Sequence, residues 1–150
     1  MTQKSNAISG VGVKFRRWNS ESSPAEYEAL SEINNISGPG MSRETIDVTS
    51  LDSEDGYREF IAAIRDGGTV TFSMNFTNAG YKRMKDDFED DDLQEYQIAI
   101  PDAEDTALEF SGLVTELPLN IEVADKITCD ITIKISGKVD LTEHDLGSSS

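Results

Sequence analysis

Strict two-residue alternation in two stretches constrains this chain most. In GTVTFSMNF, Gly68 to Phe76, the residues Val70, Phe72, Met74 and Phe76 fall on one side, and Thr71, Ser73 and Asn75 on the other. In KITCDITIKI, Lys126 to Ile135, the residues Ile127, Cys129, Ile131, Ile133 and Ile135 alternate with Thr128, Asp130 and Thr132. Only a β-strand sends neighbouring side chains to opposite faces, so both stretches predict a sheet with one buried and one wet face.

Other segments repeat the pattern. Val11, Val13 and Phe15 predict a first strand, Ile33 and Ile36 a second, and Tyr96, Ile98 and Ile100 another that stops at Pro101. Leu108 and Phe110 continue to Leu113 or Val114 past Gly112, where a bulge is expected. Residues 34–52, broken by Gly38-Pro39-Gly40, read as a long connection with a short extended piece at most around Ile46 and Val48. Asp52 to Gly68 reads as a helix. Asp52 or Ser53 is its cap, Glu54 and Asp55 lie in its first turn, Tyr57, Phe60, Ile61 and Ile64 form one apolar stripe, and Gly67 stops it. Tyr81, Met84 and Phe88 suggest a second short helix. The expected fold is mainly β: an antiparallel β-sandwich or barrel of six to eight strands with one flanking α-helix and a candidate second one. One domain over residues 1–150 is expected, with flexible ends near 1–9 and 142–150.

Charge narrows the function. With 29 acidic and 13 basic residues the net charge is −16. Bases cluster only at Arg16–Arg17 and Lys82–Arg83–Lys85, and none occurs from Asp86 to Asp125. Gripping phosphates or an anionic membrane needs clustered bases, so both roles are disfavoured. MTQKSNAISG lacks the apolar run of a signal peptide, and no segment has the ~20 apolar residues of a membrane span.

Catalytic constellations are lacking. The single histidine, His144, sits in a polar tail, and the single cysteine, Cys129, sits mid-strand without a basic neighbour, as a small buried apolar residue would. The acidic run Asp86 to Asp92 fails the EF-hand pattern, because Asp92 and Ile98 stand where glycine and glutamate are needed. No phosphate-cradling glycine motif is present. No enzyme activity, cofactor or metal is expected. An acidic β-sandwich binding Ca²⁺ or carbohydrate stays open as an alternative, although one Trp and 7% aromatic content suit sugar stacking poorly.

The order of pieces resembles the tail tube, or major tail, proteins of long-tailed bacteriophages. Trp18 and an early strand precede INNISGPGMSRETIDVTSLDSEDGYREFIAAIRDGGTVTFSMNF; the resemblance continues through Thr106 to Leu119 and the last strands, roughly Trp18 to Leu141. It implies a structural virion protein, made in the bacterial host cytoplasm, whose hexameric rings stack into a tube through which DNA enters the host. Gly38, Pro39, Gly40, Ser42, Arg43 and Glu44 would then belong to a loop touching the next ring. Thr71, Ser73, Asn75, Thr128, Asp130 and Thr132 are the candidate channel-facing residues. The implied partners are other copies of the chain and the tape-measure, tail-tip and tail-terminator proteins, with DNA in transient passage and no membrane. The immunoglobulin-like domain that some members append is not expected within 150 residues. The tube of a bacterial injection or secretion machine is the nearest alternative.

Overall fold

The structure, a computed structural model, describes residues 12–20, 24–30, 33–50 and 53–143. Among them are ten strands: β1 (Lys14–Asn19), β2 (Glu26–Ala29), β3 (Ile33–Ser37), β4 (Ser42–Asp47), β5 (Phe60–Asp66), β6 (Thr69–Asn75), β7 (Gln94–Ala99), β8 (Thr106–Glu116), β9 (Leu119–Ile121) and β10 (Ile127–Glu143). One α-helix, α1 (Asn78–Glu89), separates β6 from β7.

All strand pairings are antiparallel. Seven strands follow the order β2-β1-β7-β8-β10-β6-β3, and β9 adds to β10. The two ends of this sheet fold over one another. Phe15 of β1 stacks on Phe72 of β6 with ring centroids 4.2 Å apart, and Tyr96 and Phe110 close around Phe15 at 5.5 and 6.4 Å. Val70, Phe72, Met74, Cys129, Ile131 and Ile133 are fully buried in this core, as the alternation requires. Phe76 departs from the expected pattern: β6 ends at Asn75, and Phe76 lies partly exposed against the Tyr81 ring. At Gly112 the facing does not change, since Phe110 and Val114 both point inward and Leu113 outward. The β8–β10 register shifts instead between Thr132 and Ile133, and again between Ser136 and Asp140, where Gly137 has φ +90°.

Helix α1 covers the apolar interior. Its sequence contains no β-branched residue, and the Thr77 hydroxyl caps it by accepting a hydrogen bond from the Gly80 amide at 3.0 Å. Met84 is buried in the core. Asp87 faces inward near the helix C-terminus, where the macrodipole disfavours an acid. Arg17 compensates with two hydrogen bonds of 2.6 Å to this carboxylate, and the Tyr96 hydroxyl donates a third at 2.9 Å. This ion pair raises the Arg17 pKa above its ordinary value, chiefly through the hydrogen bond to Asp87. Burial, reinforced by the neighbouring Asp87, pushes the Tyr96 hydroxyl up as well.

Two expectations need correction. The helix over Asp52 to Gly68 does not form. Ser53 and the short 3₁₀ turn Glu54–Gly56 lead into β5, while Asp52 lies outside the described residues. Asp55 and Gly56 have φ +54° and +73°, and no α-helix passes through two left-handed residues. Nor is 34–52 a bare connection, because β3 and β4 occupy much of it. β4 pairs with β5 as a separate two-stranded ribbon, with Ile46 opposite Ile61 and Asp47 opposite Phe60. The expected flexible ends and Val11 lie outside the described residues, although residues 142 and 143 belong to β10.

Candidate channel face and assembly surfaces

The six expected channel-facing residues form one surface. Register pairs Thr71 with Thr132, Ser73 with Asp130 and Asn75 with Thr128 across β6 and β10. All six lie on the side opposite the buried Val70, Phe72, Met74, Cys129, Ile131 and Ile133, away from the core that α1 covers. β3 extends the face, with Asn35 beside Ser73 and Ser37 beside Thr71. β9 extends it on the other flank, with Asn120 beside Thr128. Hydrogen bonds tie it together: Asn34 to Asn75 at 3.0 Å, Asn120 to Asp130 at 2.8 Å, and the Thr71 and Thr132 hydroxyls at 3.5 Å. Asp130 is the only charged group among the six. The nearest base along β10, Lys134, is engaged by Asp66 at 3.7 Å.

The β4–β5 ribbon stands at one end of this face. Gly38 and Gly68 form its root. Gly38 has φ +105°, and a Cβ there would run into the Thr69 carbonyl; a Cβ on Gly68 would strike the Gly40 backbone. Thus Gly38-Pro39-Gly40 and Gly67-Gly68, distant in sequence, meet where the ribbon leaves the sheet. Ser42, Arg43 and Glu44 lie at the start of β4.

Tyr57, Phe60, Ile61 and Ile64 are not a core stripe. They are 74%, 53%, 52% and 80% exposed. Phe60 lies on one face of the ribbon and Ile61 on the other, with Ile46 beside it, and a register shift between Arg43 and Thr45 interrupts the alternation before Ile64. Met41, Ile46 and Val48 are exposed too. An isolated two-stranded ribbon is marginal in water, and exposed apolar side chains of this kind are candidates for burial against other surfaces. A second exposed apolar set, Ile121 and Val123, sits at the β9–β10 turn. Sequence reasoning missed both sets. The available signal was the pair of glycine clusters bracketing two stretches of matching length.

Elsewhere the chemistry is sparse. Cys129 is buried, and burial, then Asp130, raise its thiol pKa to about 11. In the acidic run, Asp87 serves Arg17, Glu89 pairs with Lys85, and Asp90 accepts from the Asp92 amide and the Gln94 side chain. Among the described residues no group of three His, Cys, Asp or Glu converges to hold a metal, and no helix is long and apolar enough to cross a membrane. His144 lies outside the described residues.

The profile of the family described as "Lambda phage tail tube protein, TTP" matches residues 13–142. The chain belongs to the lambda phage tail tube protein family. It is therefore a structural component of a virion tail tube. No curated protein matches this tail tube protein. Among solved structures it is similar to a chain in the tail of an empty gene transfer agent particle refined with C6 symmetry, with TM-score 0.72, 22% identity and coverage of 91% of this chain and 99% of that one. It is also similar to a chain in the sheath–tube complex of the extracellular contractile injection system PVC, with TM-score 0.68, 12% identity and 93% coverage of each chain. The SPP1 tail tube gives TM-score 0.68 at 10% identity, covering 92% of this chain and 80% of that one. These likenesses place the tail tube protein in a shared fold.

Proposed function

We propose that six copies of this chain, each a single tail-tube domain over residues 1–150, close into a ring, and that rings stack into a tube for DNA. The face of Thr71, Ser73, Asn75, Thr128, Asp130 and Thr132 lines the channel. The observation that carries this reading is that face itself: hydrogen-bonded, polar and free of unpaired bases on the strands β6 and β10. A channel with clustered Lys or Arg would hold phosphates, whereas small polar groups and an acid let DNA pass. Short edge strands β2 and β3, each paired on one side among the described residues, offer neighbours a place to join. The ribbon, with Gly38, Pro39, Gly40, Ser42, Arg43 and Glu44 at its root and first strand, contacts the next ring. Tape-measure protein inside the tube, and tail-tip and terminator proteins at its ends, complete the assembly. The chain is made in the bacterial host cytoplasm, and the role requires no catalytic group and no cofactor.

Electron microscopy of the assembled chain tests this reading. Six-fold rings or tubes with the β6–β10 polar face toward the lumen are expected. That face turned to the outside of the tube overturns the channel assignment. A second reading, the tube of an injection particle that carries protein, is favoured by the fold shared with the PVC tube chain. Nuclease-protected DNA inside purified particles would decide for the phage role.

A further inference from the structure

We propose that the ribbon of one copy docks on the β9–β10 end of the next copy of this chain, with Arg43 and Arg65 supplying the charged half of the contact. The inference rests on the stacked-tube reading and names which two ends meet.

Arg43 and Arg65 stand directly opposite each other across β4 and β5. Like charges in that position repel. Among the described residues neither has an ion pair, although Arg58 on the same ribbon finds Asp47 and Lys134 finds Asp66. In a chain with 29 acids to 13 bases, two facing arginines without a carboxylate are arranged for acids from another molecule. Next to them Met41 and Ile64 are exposed and, with Ile135 and Val139, line a groove at the ribbon root.

The complementary surface lies at the far end of the same strands. The ribbon leaves where Thr69 pairs with Lys134, while the β9–β10 turn begins where Asn75 pairs with Thr128. Six residue steps separate those ends, or about 20 Å. The turn carries the fully exposed Val123 between Ile121 and Ala124, and its acids Glu122 and Asp125 have no ion pair among the described residues. Apolar groove meets apolar knob, and arginine meets carboxylate. A ribbon-to-ribbon contact would instead bring four arginines together. A contact between opposite ends is head-to-tail and extends without closing, which is the geometry of stacking.

Charge reversal in the full chain is the test. Arg43→Glu with Arg65→Glu should leave circular dichroism unchanged and lower sedimentable tubes about tenfold or more. Glu122→Arg with Asp125→Arg should do the same. All four substitutions in one chain should restore most of the tubes. Independently, Ile64→Cys with Val123→Cys should give a ladder of disulfide-linked copies under oxidation, absent when either substitution stands alone. Wild-type tubes matched in yield by the Arg43→Glu, Arg65→Glu chain, or a double-cysteine tube with no ladder, overturn this contact and leave the tube reading standing. A wild-type chain that never forms rings or tubes, even with tail-tip protein present, overturns both.

Discussion

The two strand pairs that meet at Gly67-Gly68, β4–β5 and β6–β10, differ in one respect that governs everything else. β6 with β10 is apolar on one face and polar on the other, so a single subunit can bury what needs burying. β4 with β5 carries large apolar side chains on both faces, Ile46 and Ile61 on one and Phe60 on the other, and they remain exposed. The first is a finished piece of a folded chain. The second leaves its apolar surface open to solvent. On the proposed stacking, the contrast means that surface apolarity serves the assembly rather than the monomer.

Five experiments can break or sharpen that contrast. The largest effect is expected from Phe72→Ala, which hollows the stack with Phe15 and should cost the isolated subunit about 4 kcal/mol in urea unfolding. Asp87→Ala leaves Arg17 and Tyr96 without their shared acceptor and should cost about 3 kcal/mol by the same measurement. Gly38→Ala forces a side chain into a left-handed position against Thr69 and should cost about 2 kcal/mol. Next comes pH. The Cys129 thiol rises from 9.0 to about 11 on folding, so its contribution is complete below pH 9 and disappears as pH climbs toward 11. Cys129→Ala should therefore flatten the loss of stability in that window, and thiol reagents should label the native wild type only slowly at pH 8. The smallest effect on the subunit belongs to Phe60→Asp, within about 0.5 kcal/mol, because the ring already faces water. That same substitution should abolish tubes in the microscope. Unfolding by Phe60→Asp would mean that the ribbon supports its own subunit after all.

These two strand pairs were not equally legible in the sequence. Alternation at Val70, Phe72 and Met74 and at Cys129, Ile131 and Ile133 predicted both the buried face and the polar face opposite, because period two has one structural meaning there. Tyr57, Phe60, Ile61 and Ile64 misled because the apolar residues of β5 do not alternate with polar ones, a register shift interrupts the strand, and their spacing happened to match a helix. The left-handed Asp55 and Gly56 were the local veto, hidden in the identity of a single glycine. The true helix was visible in Tyr81 and Met84, yet the third anchor is Asp87 rather than Phe88. Hydrophobic spacing does not announce a buried carboxylate whose partner is Arg17, seventy positions earlier.

The placement of the ribbon and the β9–β10 turn at opposite ends of β6 and β10 also has a mechanical side. A pull between those ends runs parallel to the strands, so the rungs of the β6–β10 ladder are loaded in shear and must yield together. Peeling the same ladder from one end would break its rungs singly. A cylinder made of such units resists stretching along the line of its strands far better than it resists being pried open at an edge.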